Sequence, residues 1–217
     1  MRMTTWLLGC GVAAGPLFTV VYLVEGALRA DYRPRRHPVS ALAIGERGWR
    51  QVANFFASGL LMLAFAIGMR RVQRGAGSTS WGPRLIGACA VGLIGAGVFR
   101  TDPLNGYPPG TPDRQRPQSM QSMLHQLFSA FVFVGLPAAC LVFARQFAKY
   151  AEPGWAVYSR ASCVAFVAAF VATSVGFGGV AGLVEFGGVF QRITLTVGFG
   201  WLSLLAARFL RKQAQAN

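Results

Sequence analysis

Long apolar runs, broken by short arginine-bearing polar segments, set the pattern of this chain. A bilayer core of about 30 Å takes roughly 20 apolar residues in a helix, because unpaired backbone groups are not tolerated in hydrocarbon. Six stretches meet that length, at about 5–28, 52–69, 84–101, 121–143, 161–184 and 191–210. The third is the shortest: only fifteen residues, Leu85 to Phe99, separate Arg84 from Arg100. It spans if both arginines snorkel to the headgroups or the bilayer thins locally. The first run begins with Arg2 and carries Cys10, as a secretory leader would. It is far longer than the roughly 7–15-residue apolar segment of a leader and is expected to remain as a span. The pattern predicts an all-α fold, a polytopic integral membrane protein in which residues 1–217 form one domain, a bundle of six transmembrane helices.

Lipid gives helices no hydrophobic reason to associate, so close packing at small residues must hold the bundle. Gly11 and Gly15 form one GxxxG contact face, Gly178 and Gly182 a second, and Gly92, Gly95 and Gly97 crowd the third span. Pro16 and Pro137 are expected to kink spans one and four. In the first long loop the two prolines Pro34 and Pro38 favour an extended path. Ser40 is then placed to N-cap a short interfacial helix that ends at Gly45. The loop from Arg100 to Ser119 carries Pro103, Pro108, Pro109, Pro112 and Pro117 and is expected to be irregular, lying over the bundle mouth. The chain has no internal repeat of the kind that marks inverted-repeat transporters.

Composition agrees with the pattern. The 217 residues are 53% hydrophobic and 13% charged, with mean hydropathy +0.44, about half the charge of a soluble domain. A net charge of +14 would suit nucleic acid, but the Lys and Arg residues lie in segments between the apolar runs. They act as topogenic and lipid-headgroup charges, so the expected partners are membrane lipids and a small amphiphilic ligand, not nucleic acid. With six spans, eleven basic residues fall on the side of the termini, Arg74 among them, and ten on the other, including Arg114 and Arg116. The count nearly ties. Six of the seven acids lie opposite the termini, and on that asymmetry both termini are placed in the cytoplasm of a multi-pass cell-membrane protein. Cys10, Cys89, Cys140 and Cys163 all lie within spans and show no C-x-x-C spacing. They are expected to be free, small, buried residues. Neither a cofactor nor an oligomeric state is encoded in any motif.

Candidate chemistry gathers opposite the termini. Arg47, Arg50, Asn54 and Ser58 share one helical stripe in span two, and Ser122, His125 and Ser129 share another in span four. Span one offers Glu25 and Arg29 at i, i+4, span three ends in Asp102, and the join of spans five and six carries Glu185, Gln191 and Arg192. Ionisable groups at membrane depth face a bundle interior or a wet cavity and are candidates for function. The expected site is a polar pocket at this face lined by Glu25, Arg36, His37, Ser40, Asn54, Asp102 and His125. His125, the deepest, suits a general base, a metal ligand, a proton-linked switch or a tie between helices. Ser40, His125 and Asp102 would supply a nucleophile, base and orienting carboxylate, though no nucleophile elbow accompanies them. A zinc site would have to draw on His37 and His125 with Asp102, Glu25 or Glu185 and has no His-x-x-x-His pair, so none is assigned. Arg35 and Arg36 suit a phosphate or a lipid headgroup.

The succession His37-Pro38-Val39-Ser40, then Gly48-Trp49, then Gly97-Val98-Phe99 with Asp102-Pro103, then Leu124-His125 resembles the six-span membrane family catalogued as Domain of Unknown Function 998. The likeness covers essentially the whole chain and implies a prokaryotic six-span protein without an assigned activity. More distantly, Pro38-Val39-Ser40 and His125 resemble the Frag1/DRAM/Sfk1 family. That likeness implies cytoplasmic termini and a link to glycolipid-anchor remodelling and membrane-lipid regulation. Ala41 and Ser129 depart from it, standing where an Asp and a small apolar residue are usual. Three functions follow as expectations: binding or sensing of a lipid or amphiphile, a membrane-embedded hydrolase or acyl transferase using His125 and Asp102, or a structural accessory subunit.

Overall fold

The computed structural model describes residues 2–73, 80–112, 118–180 and 182–215. Arg74, Arg114, Arg116 and Pro117 lie outside them. Among the described residues six helices are long and apolar enough to cross a membrane. They are α1 (Arg2–Leu28), α2 (Gly48–Gln73), α3 (Trp81–Val98), α4 (Met120–Lys149), α5 (Pro153–Phe177) and α6 (Gly187–Gln215). Each packs mainly on its neighbours in sequence, and α6 returns to α1, so the six close into a ring. The connections α1–α2, α3–α4 and α5–α6 share one face, called distal here, opposite the face of the termini.

The helices overrun the apolar runs, because backbone pairing continues past the point where hydrocarbon demands it. The fifth departs most from expectation. It starts at Pro153, whose fixed φ suits a first helical turn, and stops at Phe177 instead of continuing to 184. Gly178 caps it, and Gly179 and Gly182 take φ of +86° and +83°. The pair Gly178 and Gly182 is therefore a chain reversal and not a helix-contact face.

The other glycines do bring backbones together. A Cβ on Gly15 would lie 2.4 Å from Ser203 Oγ and 2.6 Å from the Phe199 carbonyl, so α1 rests directly on α6. On Gly92 it would lie 2.6 Å from the Phe128 carbonyl, which sets the α3–α4 distance. Pro16 and Pro137 sit inside continuous helices. Ser40 does not cap: it lies within a 3₁₀ turn, Val39–Ala43, that begins after Pro38 without a side-chain cap.

Aromatic rings fill the interior of the ring. Phe18 stacks on Phe199 at 4.5 Å, and fully buried Trp201 donates its indole N–H to Ser159 Oγ at 3.1 Å. On the terminal face, Glu152 between α4 and α5 accepts from Arg208 and from Lys212 (2.7 Å), both on α6. Arg208 lies over the Phe147 ring at 4.4 Å. Desolvation opposes ionisation of Glu152, but the bonds and charges of Lys212 and Arg208 hold its carboxyl below the usual range. All four cysteines are free.

Candidate functional site

Most of the distal polar side chains are committed to holding the distal loops. Glu25, buried near the end of α1, pairs with Arg50 at 2.8 Å and Arg29 at 3.5 Å. Arg29 in turn donates to the carbonyls of Ile44 (2.9 Å) and Leu42 (3.2 Å), which pins the end of the first loop. Two arginines around one buried carboxylate offset its desolvation. Asn54 donates to the Phe18 carbonyl at 3.1 Å and accepts from Ser58 Oγ at 3.3 Å. Arg36 pairs with Glu185 at 2.6 Å across the distal face.

His37 joins the first two distal loops. Its Nδ1 accepts the Arg33 N–H at 2.9 Å and its Nε2 donates to the Asn105 carbonyl at 3.1 Å. That network assigns the neutral Nε2–H tautomer. The ring lies between Tyr32 and Tyr107, at 5.4 and 5.2 Å. Burial pushes its pKa below the ordinary value, against the Asn105 bond, and Arg36 and Arg33 deepen the depression. Arg192 of α6 closes the cluster, donating to the Gly188 carbonyl at 2.9 Å and the Tyr32 hydroxyl at 2.7 Å. Burial pushes the Tyr32 hydroxyl up, against the Arg192 charge, so it keeps its proton.

Asp102 works at a helix end. Its two carboxylate oxygens accept from Ser119 N–H (2.7 Å) and Ser119 Oγ (2.6 Å). Ser119 is the N-cap of α4 and accepts from Ser122 N–H at 3.1 Å. A carboxylate there complements the positive end of the helix dipole.

His125 sits one and a half turns into α4, buried, and turns toward the end of α3. Its Nδ1 lies 2.8 Å from the Phe99 carbonyl and 3.0 Å from that of Ala96. Those carbonyls belong to the last turn of α3, where helix acceptors have no partner of their own, so Nδ1 carries the proton. In the neutral ring Nε2 then keeps its lone pair, and it has no partner among the described residues.

Between these networks a cavity of about 50 Å³ lies inside the distal half of the ring. Phe18, Phe55, Leu93, Val132, Leu195 and Phe199 make most of its wall. Its polar lining is Ser40, His125, Ser129 and Gln191. Gln191 Oε1 accepts the Val39 N–H at 2.7 Å. The Gln191 amide nitrogen and both serine hydroxyls have no partner among the described residues.

Of the seven residues expected to line one pocket, Ser40 and His125 meet at the cavity, and the other five stand in the surrounding networks. Ser40, His125 and Asp102 do not form a relay: Nδ1 faces backbone carbonyls and Asp102 faces Ser119. No three His, Cys, Asp or Glu side chains converge as a metal site among the described residues. Ser129 and Gln191, polar residues of the same face but not among those seven, complete the cavity. Ser129 lies on the stripe of His125, which is a signal in the sequence. The position of Gln191 at the join of spans five and six places it on this face, and its reach into the cavity depends on how α6 meets the first loop.

No curated protein and no solved structure matches this chain. Nothing in the comparisons bears on the Frag1/DRAM/Sfk1 likeness. Residues 12–208, nearly the whole chain, do match one family. A closed ring of six apolar helices and a match of that extent lead to one conclusion: the chain is a multi-pass membrane protein belonging to the family described as protein of unknown function (DUF998).

Proposed function

We propose that this protein binds a lipid or other amphiphile in the distal cavity, in a cell membrane, with the distal face outside the cell and both termini in the cytoplasm. One observation carries this reading: a mostly apolar chamber retains four polar side chains with hydrogen-bonding capacity unmet among the described residues. Unmet polar groups in an apolar wall cost free energy unless a guest or water satisfies them. An apolar wall with a few converging polar groups is the general form of a small-molecule site. Binding is supported over hydrolysis or acyl transfer, because among the described residues no hydroxyl is hydrogen-bonded to His125 Nε2 and no carboxylate orients Nδ1.

An accessory structural role has its own support in the number of polar residues that tie loops to helices. Native mass spectrometry of protein extracted in mild detergent separates the two. Under the binding reading the wild type carries an added lipid mass, and Ser129→Ala and His125→Ala each lower its occupancy. Ser129→Ala leaves the α3 cap intact, so a loss of lipid there is not a loss of fold. Bare wild-type protein would overturn binding in favour of the structural role.

A further inference from the structure

The cavity is too small to enclose a lipid. Its 50 Å³ exceeds the roughly 10–15 Å³ that one water needs, but falls well below the roughly 300–1,000 Å³ of enclosed ligand pockets. It holds a small head and a few carbons, so the rest of any amphiphile has to leave through the wall.

One helix of the ring takes no part in the wall. α5 stands between α4 and α6 in the ring, yet no residue of α5 lines the cavity, while α4 and α6 both do. The burial of α4 agrees. Ala144, Cys140, Pro137, Phe133, Ala130 and Gln126 step by four and three residues and so share one helical face. Ala144, Cys140 and Pro137 are buried, Phe133 is half-buried, and Ala130 and Gln126 are exposed. Along α5, Cys163 and Phe166 are buried, Phe170 is half-buried and Ser174 is exposed, while Thr173 and Gly176, the latter against Gly187 of α6, stay buried. Phe133 stacks on Phe170 at 4.6 Å, where both faces change. Toward the terminal face α4 and α5 are sealed together; distal to the Phe133–Phe170 stack they leave a slot. Phe133 and Ser129 line the cavity beside it.

The cavity also lacks charge. Arg29 and Arg50 both pair with Glu25, Arg36 pairs with Glu185, Arg192 holds carbonyls and Tyr32, and Asp102 holds Ser119. The groups left are a lone pair on His125 Nε2, the N–H₂ of Gln191 and two hydroxyls, all neutral. A phosphate or carboxylate placed there would be desolvated with no cation to meet it. A hydroxyl matches: it donates to Nε2 and accepts from the Gln191 amide.

We infer that the guest is an uncharged lipid with a hydroxyl head, which reaches the cavity sideways from the distal leaflet through the slot between α4 and α5 and leaves its chain in that slot. The inference rests on the binding reading above and narrows it.

The test uses the full chain in detergent with two probes that share one oleoyl chain: monooleoylglycerol and its phosphate ester, lysophosphatidic acid. Occupancy is read by native mass spectrometry for the wild type, Ala130→Trp and Leu127→Trp. Ala130 lies on the slot face, whereas Leu127 is 57% exposed on the outward face of the same helix, so it controls for a bulky ring. The wild type should hold the glycerol ester at least about tenfold better than the phosphate, and Ala130→Trp should lose about tenfold in occupancy with Leu127→Trp unchanged. Equal or better retention of the phosphate overturns the neutral head. Wild-type occupancy in Ala130→Trp, with unfolding temperature unchanged, overturns the slot. If an endogenous lipid copurifies and depends on Ser129 while monooleoylglycerol does not bind, this inference fails and the broader one stands.

Discussion

At the scale of single residues, the distal loops are held by side chains that serve in one protonation state only. His37 is the clearest. As a neutral ring it accepts from Arg33 and donates to Asn105; a second proton would destroy the acceptor and place a cation near Arg33 and Arg36. Its pKa is lower in the folded chain than in the unfolded one, so as pH falls the unfolded chain takes up the proton first. The stability His37 supplies is complete above about pH 6.5, the unfolded value, and declines as pH falls through the lower folded value. Thermal unfolding in detergent should therefore weaken between neutral and mildly acidic pH. His37→Gln, which does not titrate, should flatten that dependence. An identical slope in the variant would remove His37 as its source. Glu152 has the same sign but acts in a more acidic range, where carboxylates protonate.

At the scale of the element, close approach of backbones does what burial of apolar side chains does in a soluble protein. α1 meets α6 at Gly15, where an added methyl would strike the Phe199 carbonyl at 2.6 Å. Backbone cannot swing aside as a side chain can, so the helices have to separate. Gly15→Ala should destabilise the bundle by about 1–3 kcal/mol, the usual cost of overpacking. Gly9, on the same helix, has nothing within 4 Å of an added Cβ. There Gly9→Ala should be neutral, or stabilising by a few tenths to about 1 kcal/mol from helix propensity. Unfolding temperatures of the two variants side by side check the contact; equal values would place the α1–α6 contact elsewhere.

At the scale of the whole molecule, the ring gives the two faces different jobs. On the terminal side of the Phe133–Phe170 stack the ring is closed by the Trp201–Ser159 bond and the Glu152 clamp. The distal end has a chamber, and three connections tied to one another over it. If the distal face lies outside the cell, as proposed, a phosphatase reporter inserted after Gly110 should be active and one fused to the C-terminus inactive in intact cells. The reverse pattern would invert the orientation and move the cavity to the inner leaflet.

Apolar length alone determined the six helices, because a backbone in hydrocarbon has no alternative to internal pairing. Residue size alone located contacts at Gly11, Gly15 and Gly92 to Gly97, since nothing else permits such close approach. The helical period placed His125 and Ser129 on one stripe. Period does not say what a side chain faces, and only the folded ring decided that Glu25, Asn54 and Asp102 hold neighbouring helices and loops while Ser40, Ser129 and Gln191 join His125 at a cavity. Gly178 and Gly182 show the limit at its sharpest. Their spacing fits a helix-contact face as well as it fits a chain reversal, and it took the positive φ of Gly179 and Gly182 to choose the second. Hydrophobicity is a local property and is legible along a chain. Which polar groups find partners depends on residues far apart in sequence, and that is settled only when the helices close.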